Sequence, residues 1–451
     1  MASTIALDRA HTGPQCIHGD RLSEQTALSL FSPLLLSSAL GAYDLWCIPI
    51  NWIGQVASIV LAVTCFLRTN LVLPRGIHWH FACCFWLLLV TVAHFDEDGL
   101  SHNMPWATTT SYTTFVLLRV VAWMAFGCQV LLFYSLGARF GVDTVARRII
   151  RVATWVAAFA IYVYVAQTVG LPEPPRNRIG TSGEEQVVHF TYAFHRAMGS
   201  FREPSHLAEW LVLPLFATLV MPGRQHVRIA VLLGSAMLLT GSLTGLSGCV
   251  VGAVVAAALF KVLKPGRGLM GPVILRLLIL VCVAGAAFAA LAVANDEGST
   301  DVLSVLWERV QSLLNEGAAG SNRDYVYEYA AEHGWTLWGQ GLGNPNLRFA
   351  HDLGSSAPVS FLSLYLTVLY SGGVLGLGLL VLLLSVPLRA ACRASRMVQG
   401  PPRMQLFWMV SAYCGWLMMF AVHSEEPCLA FALVFALTLR LGQEYGLECR
   451  R

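Results

Sequence analysis

The stretch APVSFLSLYLTVLYSGGVLGLGLLVLLLSVPLRA, residues 357–390, decides how this chain is threaded. It is apolar almost throughout and too long for one straight span, because a helix rises about 1.5 Å per residue across a hydrocarbon core of about 30 Å. It crosses twice with a turn at SGGVLG, or it crosses once and carries an additional half-helix. The basic segment that follows, RAACRASRMVQGPPR, arbitrates. Two full crossings would put it on the side of the acidic connections, against the tendency of Lys and Arg to remain cytoplasmic. We therefore read one crossing plus an outer re-entrant or interfacial half-helix, broken at Gly372 and Gly373.

The rest of the chain has the same character. Of 451 residues, 56% are hydrophobic and 12% charged, against about 25% charged in a soluble domain. Apolar runs lie near 27–43, 46–66, 78–95, 113–137, 152–170, 207–221, 229–245, 246–263, 273–294, 357–390, 406–422 and 427–440. The predicted fold is an all-α polytopic membrane protein of about twelve spans. The net charge of +3, with no basic tract interleaved with aromatics, gives no reason to expect nucleic acid as a partner. Most of the twelve cysteines sit inside apolar runs and none forms a C-x-x-C pair, so they read as free, small apolar side chains.

The arginines set an orientation. Alternate connections are basic (Arg68 and Arg75; Arg139, Arg147, Arg148 and Arg151; Arg224 and Arg228; Lys264 and Arg267; Arg389 to Arg403; Arg450 and Arg451). The connections between them carry Asp96 to Asp98, Glu173, Glu184 and Glu185, Asp296 and Glu297, and Glu425 and Glu426. The reading is a cytoplasmic tail at 1–25 without a signal-peptide pattern, a single transmembrane domain at 26–440, and a cytoplasmic tail at 441–451. Two outer loops are long, 171–206 and 295–356. The second contains an amphipathic surface helix, DVLSVLWERVQSLL, and a short helix in RDYVYEYAAEHGW.

Three constellations could carry chemistry. In HRAMGSFREPSHLAEW, residues 195–210, Arg196, Arg202 and Glu203 gather where an outer loop meets the next span. Ionisable groups at that depth are costly unless paired or facing a cavity, although snorkelling and a helix start at Pro204 account for the same pattern. In residues 320–354, Arg323 opens a helix, Gly341 and Gly343 mark a tight loop, and Arg348 and His351 follow. Arginine suits bidentate phosphate recognition and histidine suits general-base work near neutral pH; a solvated loop is the plainer reading. HSEEP, residues 423–427, caps the last span or faces the same cavity. The small-residue turn TGSLTGLSG, 240–248, reads as a close helix-packing device. With no H-E-x-x-H, no outer D-x-D pair and no nucleophile elbow, neither a metal site nor a covalent serine is expected.

Taken in order, these motifs resemble the O-antigen polymerase and O-antigen ligase superfamily of bacterial envelope glycosyltransferases. The matching pieces are Arg196, Gly199, Phe201, Glu203, Pro204, Ser205 and Ala208; Arg323; Gly341 and Gly343; and Gly373 with Gly376, spread over about residues 150–440. The resemblance implies a twelve-span bacterial inner-membrane enzyme, similar to C-type glycosyltransferases, with a periplasmic active site and short helices in its large outer loop. It implies transfer of glycan from an undecaprenyl-pyrophosphate carrier to an acceptor sugar hydroxyl, without cofactor, metal or nucleotide. Partners would be that lipid-linked glycan, an acceptor glycan or lipid A-core, the bilayer, and a chain-length regulator. It assigns Arg196, Arg323, Arg202 and Arg348 to the pyrophosphate or substrate, and His351 and Glu203 to catalysis.

The chain departs from the family at two places. The H-N-x-x-L of many members is missing; its position falls near Ser360 and Phe361, so His351 is a displaced equivalent or another base serves. The T-x-S-R turn of ligases lacks its arginine and ends in Gly248. Both tilt the expectation toward a polysaccharide polymerase. A lipid A-core ligase, or a protein O-oligosaccharyltransferase, is the alternative within the family, and a lipid-linked glycan transporter the alternative outside it.

Overall fold

The computed structural model describes residues 21–46, 48–68, 71–108, 110–178, 196–221, 223–263, 324–422 and 426–448. Inside a bilayer the backbone has no water to bond, so each apolar run satisfies itself as a helix. Eleven of the twelve runs coincide with helices: α1 (Arg21–Ser38), α2 (Ile50–Leu67), α3 (His78–Ala93), α4 (Tyr112–Phe140), α5 (Val142–Val169), α6 (Pro204–Val220), α7 (Arg224–Leu239), α8 (Leu243–Leu263), α11 (Leu364–Ser395), α12 (Pro401–Val422) and α13 (Leu429–Glu448). Run 273–294, the surface helix at 301–314, Arg323 and His195 lie outside the described residues. Two short helices, α9 (Asp324–Glu332) and α10 (Asn344–Asp352), occupy the large loop. A two-residue antiparallel ladder, β1 (Asp44–Leu45) with β2 (Ile48–Pro49), turns the chain between α1 and α2.

Among the described residues six helices, α2, α4, α5, α8, α11 and α12, are long and apolar enough to cross a membrane. On α2 and α3, Val56, Val60, Val63, Phe81, Phe85 and Leu88 are all exposed. A belt of large apolar side chains facing outward suits lipid rather than water. The chain is an all-α membrane protein.

Helix α5 begins ten residues before its apolar run. Its first turns bury Val142, Val145, Ala146, Ile149 and Ile150 while Arg147 and Arg151 stay exposed. A hydropathy window averages those two faces and misses the start; the helical period reveals it. The core lies around α12 and α13, where Trp408, Tyr413, Trp416, Phe420 and Phe431 are fully buried. Small residues let α8 approach α12. A Cβ on Gly415 would lie 2.5 Å from the Gly248 carbonyl oxygen, and one on Gly252 would lie 2.7 Å from the Gly415 nitrogen. The small-residue turn thus packs helices, as its composition indicates. A Cβ on Gly248 itself would meet the Met419 side chain at 2.9 Å.

The long run at 357–390 resolves as a single helix, α11, interrupted at Gly373 (φ 68°, ψ −170°). Breaking a helix frees backbone groups, and the segment 336–341 takes them up. The amides of Gln340 and Gly341 donate to the carbonyls of Tyr370 and Ser371 at 3.0 and 2.9 Å, and the Val374 amide donates to the Thr336 carbonyl at 3.2 Å. Trp86 Nε1 donates to the Gly372 carbonyl at 2.7 Å. Gly339 (φ +89°) lies so close that a Cβ on it would meet the Gly373 nitrogen at 2.5 Å. The glycines are needed for this backbone-on-backbone contact.

The connections sort onto two ends of the bundle. At one end Val72 and Arg75 meet Ser135 and Gln443, and Gln405 bonds Asp143. The other end holds the β-ladder, the segment 196–203, α9, α10 and the turn before α13.

Candidate functional site

At that second end, a cavity of about 620 Å³ opens among α1, α2, α4, α6, α12 and the loops between them. The volume falls within the usual range for small-molecule sites. Its walls combine three arginines (Arg119, Arg178, Arg202), three carboxylates (Glu203, Glu209, Glu426) and His206. Aromatic side chains, Trp52 and Trp416 among them, complete it.

The segment 196–203 is stitched in place before it reaches the cavity. Arg196 Nε donates to the Thr240 carbonyl at 2.8 Å, and the Ala197 amide donates to the Leu239 carbonyl at 2.8 Å. Gly199 (φ +56°) turns against α5, where a Cβ would lie 2.8 Å from Ala160 Cβ. Ser200 Oγ donates to the Ala39 carbonyl at 2.6 Å, and the Ala42 amide donates to the Ser200 carbonyl at 3.0 Å. Phe201 is buried. Glu203 occupies the N-cap position of α6 in extended conformation, makes no side-chain cap and lines the cavity, while Pro204 starts the helix. One turn on, Ala208 receives the close approach of Gly245. The motif R-x-x-G-x-F-x-E-P-S-x-x-A is mostly a folding device whose product is the placement of Arg202 and Glu203.

The neighbouring charges come from distant elements. Arg119 Nη1 bonds Glu426 Oε1 at 2.7 Å, and its guanidinium lies 4.5 Å above the Phe115 ring. Arg178 Nη1 donates to the Gly41 carbonyl at 2.7 Å and its Nε lies 4.0 Å from Asp44. Burial, and then the Arg202 guanidinium, lower the Arg178 pKa from its ordinary value, with Asp44 opposing. The two guanidinium groups are close enough to disfavour each other's charge. Two further lining groups have no hydrogen-bond partner among the described residues: Trp416 Nε1 and Asn51 Oδ1. One is a buried donor, the other a buried acceptor, and each is costly to leave unmatched.

Of the residues expected from sequence, Arg202 and Glu203 line this cavity and Arg196 anchors the segment that carries them. Arg323 lies outside the described residues. Arg348 and His351 are not among the cavity's lining residues. Arg348 Nη2 bonds Glu97 at 2.9 Å and Asp98 at 2.7 Å, tying α10 to the loop after α3. His94 Nδ1 lies 2.8 Å from the same Glu97 carboxylate. That contact first, and Arg348 more weakly, hold the Glu97 carboxyl below its ordinary value. The His351 side chain is 75% exposed, 3.7 Å from Asp352. Asp352 accepts a hydrogen bond from Tyr329 at 3.1 Å, within a cluster of Tyr329, Phe349, Phe361 and Tyr370. Burial and the Asp352 charge raise the Tyr329 pKa above its ordinary value.

The segment after α10 also reaches the cavity. Ser360 and Leu362 line it, and Leu362 is held at φ +51°. A branched residue there is strained, and such strain concentrates where surrounding structure fixes a site. Sequence reasoning passed over Arg119, although a lone arginine in an apolar run is its own signal. Arg178 carried no such signal, because its partners Gly41 and Asp44 are more than a hundred residues away. No protein-family model matches the chain and no curated protein matches it, so the cavity is characterised by its own geometry.

Proposed function

We propose that the protein is a bacterial envelope polysaccharide polymerase. It transfers glycan from an undecaprenyl-pyrophosphate carrier to an acceptor sugar hydroxyl, at the periplasmic face of the inner membrane, on a C-type-like scaffold of about twelve spans. One observation carries the reading: Arg119, Arg178 and Arg202 share a 620 Å³ recess with Glu203 and exposed His206, at one end of an apolar helix bundle. A pyrophosphate at the membrane surface needs arginine forks. A sugar needs hydrogen-bonding groups between aromatic walls, which Asn51, Trp52 and Trp416 supply.

In this reaction the acceptor oxygen attacks the anomeric carbon of the donor. The bond from that carbon to the pyrophosphate oxygen breaks, and the lipid pyrophosphate leaves with the electron pair. Arg178 and Arg202 stabilise the charge that develops on it. Glu203 accepts the proton of the attacking hydroxyl. Arg119 is neutralised by Glu426 and acts on position rather than on charge. Arg323 retains its expected place at the pyrophosphate as a proposal.

Polymerase is preferred to ligase because position 248, where ligases carry arginine, is glycine in this chain. A strain lacking the protein decides between them. Lipid A-core bearing a single repeat unit is the expected product. Core bearing no repeat identifies a ligase, and undiminished polymer contradicts both.

A further inference from the structure

The opposite end of the bundle carries a second recess, of about 340 Å³, with a different chemistry. Arg75, His78, Arg389 and Arg393 line it together with Trp79 and Gln443, and no carboxylate does. Glu444, the acid nearest in sequence to that wall, is bonded by Arg440 at 3.3 Å. Arg389 is held to a backbone carbonyl, that of Leu382, at 3.2 Å. Arg75 and Arg393 make no ion pair among the described residues.

The recess is built rather than incidental. Arg75 stands on the loop between α2 and α3, and that loop is pinned from three sides. Ser135 Oγ accepts from the Val72 amide at 2.8 Å. Gln443 Nε2 donates to the Arg75 carbonyl at 3.0 Å, and Gln443 is itself fixed by Tyr134 at 2.7 Å. Gly76 (φ +94°) lies against Val386, where a Cβ would sit 2.6 Å from Cγ1. Gly442 brings α13 equally close to α11, 2.7 Å from the Ala390 carbonyl carbon by the same measure. These contacts hold Arg75 beside Arg389 and Arg393, which occupy successive turns of α11. Arginines that only snorkelled to the interface would not need a pinned loop to converge.

Below the recess runs an apolar surface. Phe81, Phe85 and Leu88 on α3 and Val381 on α11 are exposed, and α3 packs directly on α11. A cationic basin at the bundle end, lined from the same two helices that expose these apolar side chains, matches an amphiphile with an anionic head. We propose that this recess binds the phosphate of an anionic phospholipid, whose acyl chains lie along α3 and α11. The site is separate from the cavity assigned to glycan transfer and does not depend on that assignment.

The test uses the full-length protein in detergent, titrated with short-chain phosphatidylglycerol or phosphatidylcholine and read by native mass spectrometry. The wild type should prefer phosphatidylglycerol. Arg389→Gln/Arg393→Gln should weaken that binding about thirtyfold. Arg224→Gln/Arg396→Gln removes the same charge from the same end but leaves the recess intact, and it should bind like the wild type. Unchanged thermal unfolding of both variants without lipid establishes that they fold. Equal affinity for the two lipids, or equal loss in the two double variants, overturns the site. Displacement of the lipid by glycerol phosphate at matching concentration overturns the lipid as its source.

Discussion

Residues 196–210 and residues 344–352 are made of the same materials: arginine, a carboxylate, histidine, glycine or proline at the helix start. They end up doing different things. In the first, the helix start delivers Glu203 to a cavity in which Arg178 and Arg202 compete as like charges. In the second, Arg348 is neutralised by Glu97 and Asp98, and His351 stands exposed beside Asp352. The difference lies in what each arginine meets. Exposed carboxylates beside α10 hold Arg348 in a local ion-pair cluster; the recess gathers three arginines and three carboxylates from distant elements around one cavity.

Breaking the first region should have the largest consequence. Arg178→Ala/Arg202→Ala should lower glycan elongation at least about a thousandfold, the loss typical of removing transition-state donors. Insertion and melting of the purified variant should remain near wild type. Glu203→Gln comes next, with a fall of about a hundredfold or more in turnover at saturating acceptor. Gly415→Val tests the scaffold instead. It should destabilise the protein by about 1–3 kcal/mol through overpacking against Gly248, measured by thermal unfolding in detergent.

Breaking the second region should change little in catalysis. His351→Ala should retain turnover within about twofold of wild type. Arg348→Gln should reduce stability by no more than about 1 kcal/mol, because its partners are substantially exposed. The acid dependence has a defined sign. Glu97 has a folded pKa lowered chiefly by His94, so its contribution is complete above the ordinary carboxylate value of about 4.3 and disappears as pH falls through the folded value. His94→Ala should therefore flatten the melting temperature against pH below about pH 4.3 more than Arg348→Gln does.

The membrane character was legible because apolar runs of span length have few alternatives. The break in α11 was legible too: adjacent glycines at 372 and 373 allow the chain to leave helical geometry. What replaced the lost hydrogen bonds was not legible, since the segment 336–341 is apposed only in three dimensions. The start of α5 was hidden by arginines on its exposed face. At the cavity, the stretch 196–210 announced itself by polarity at a membrane lip, and Glu426 by its place in an outer turn. Arg178 and Asn51 could not be found that way, because each acquires meaning only from neighbours the fold supplies.

The most direct test combines purified protein with an undecaprenyl-pyrophosphate-linked repeat unit, a chelator and no nucleotide, and resolves the products by gel. The account predicts a ladder of elongated glycan from the wild type and from His351→Ala, and none from Arg178→Ala/Arg202→Ala. No ladder from the wild type, or an equal ladder from the double variant, would contradict it.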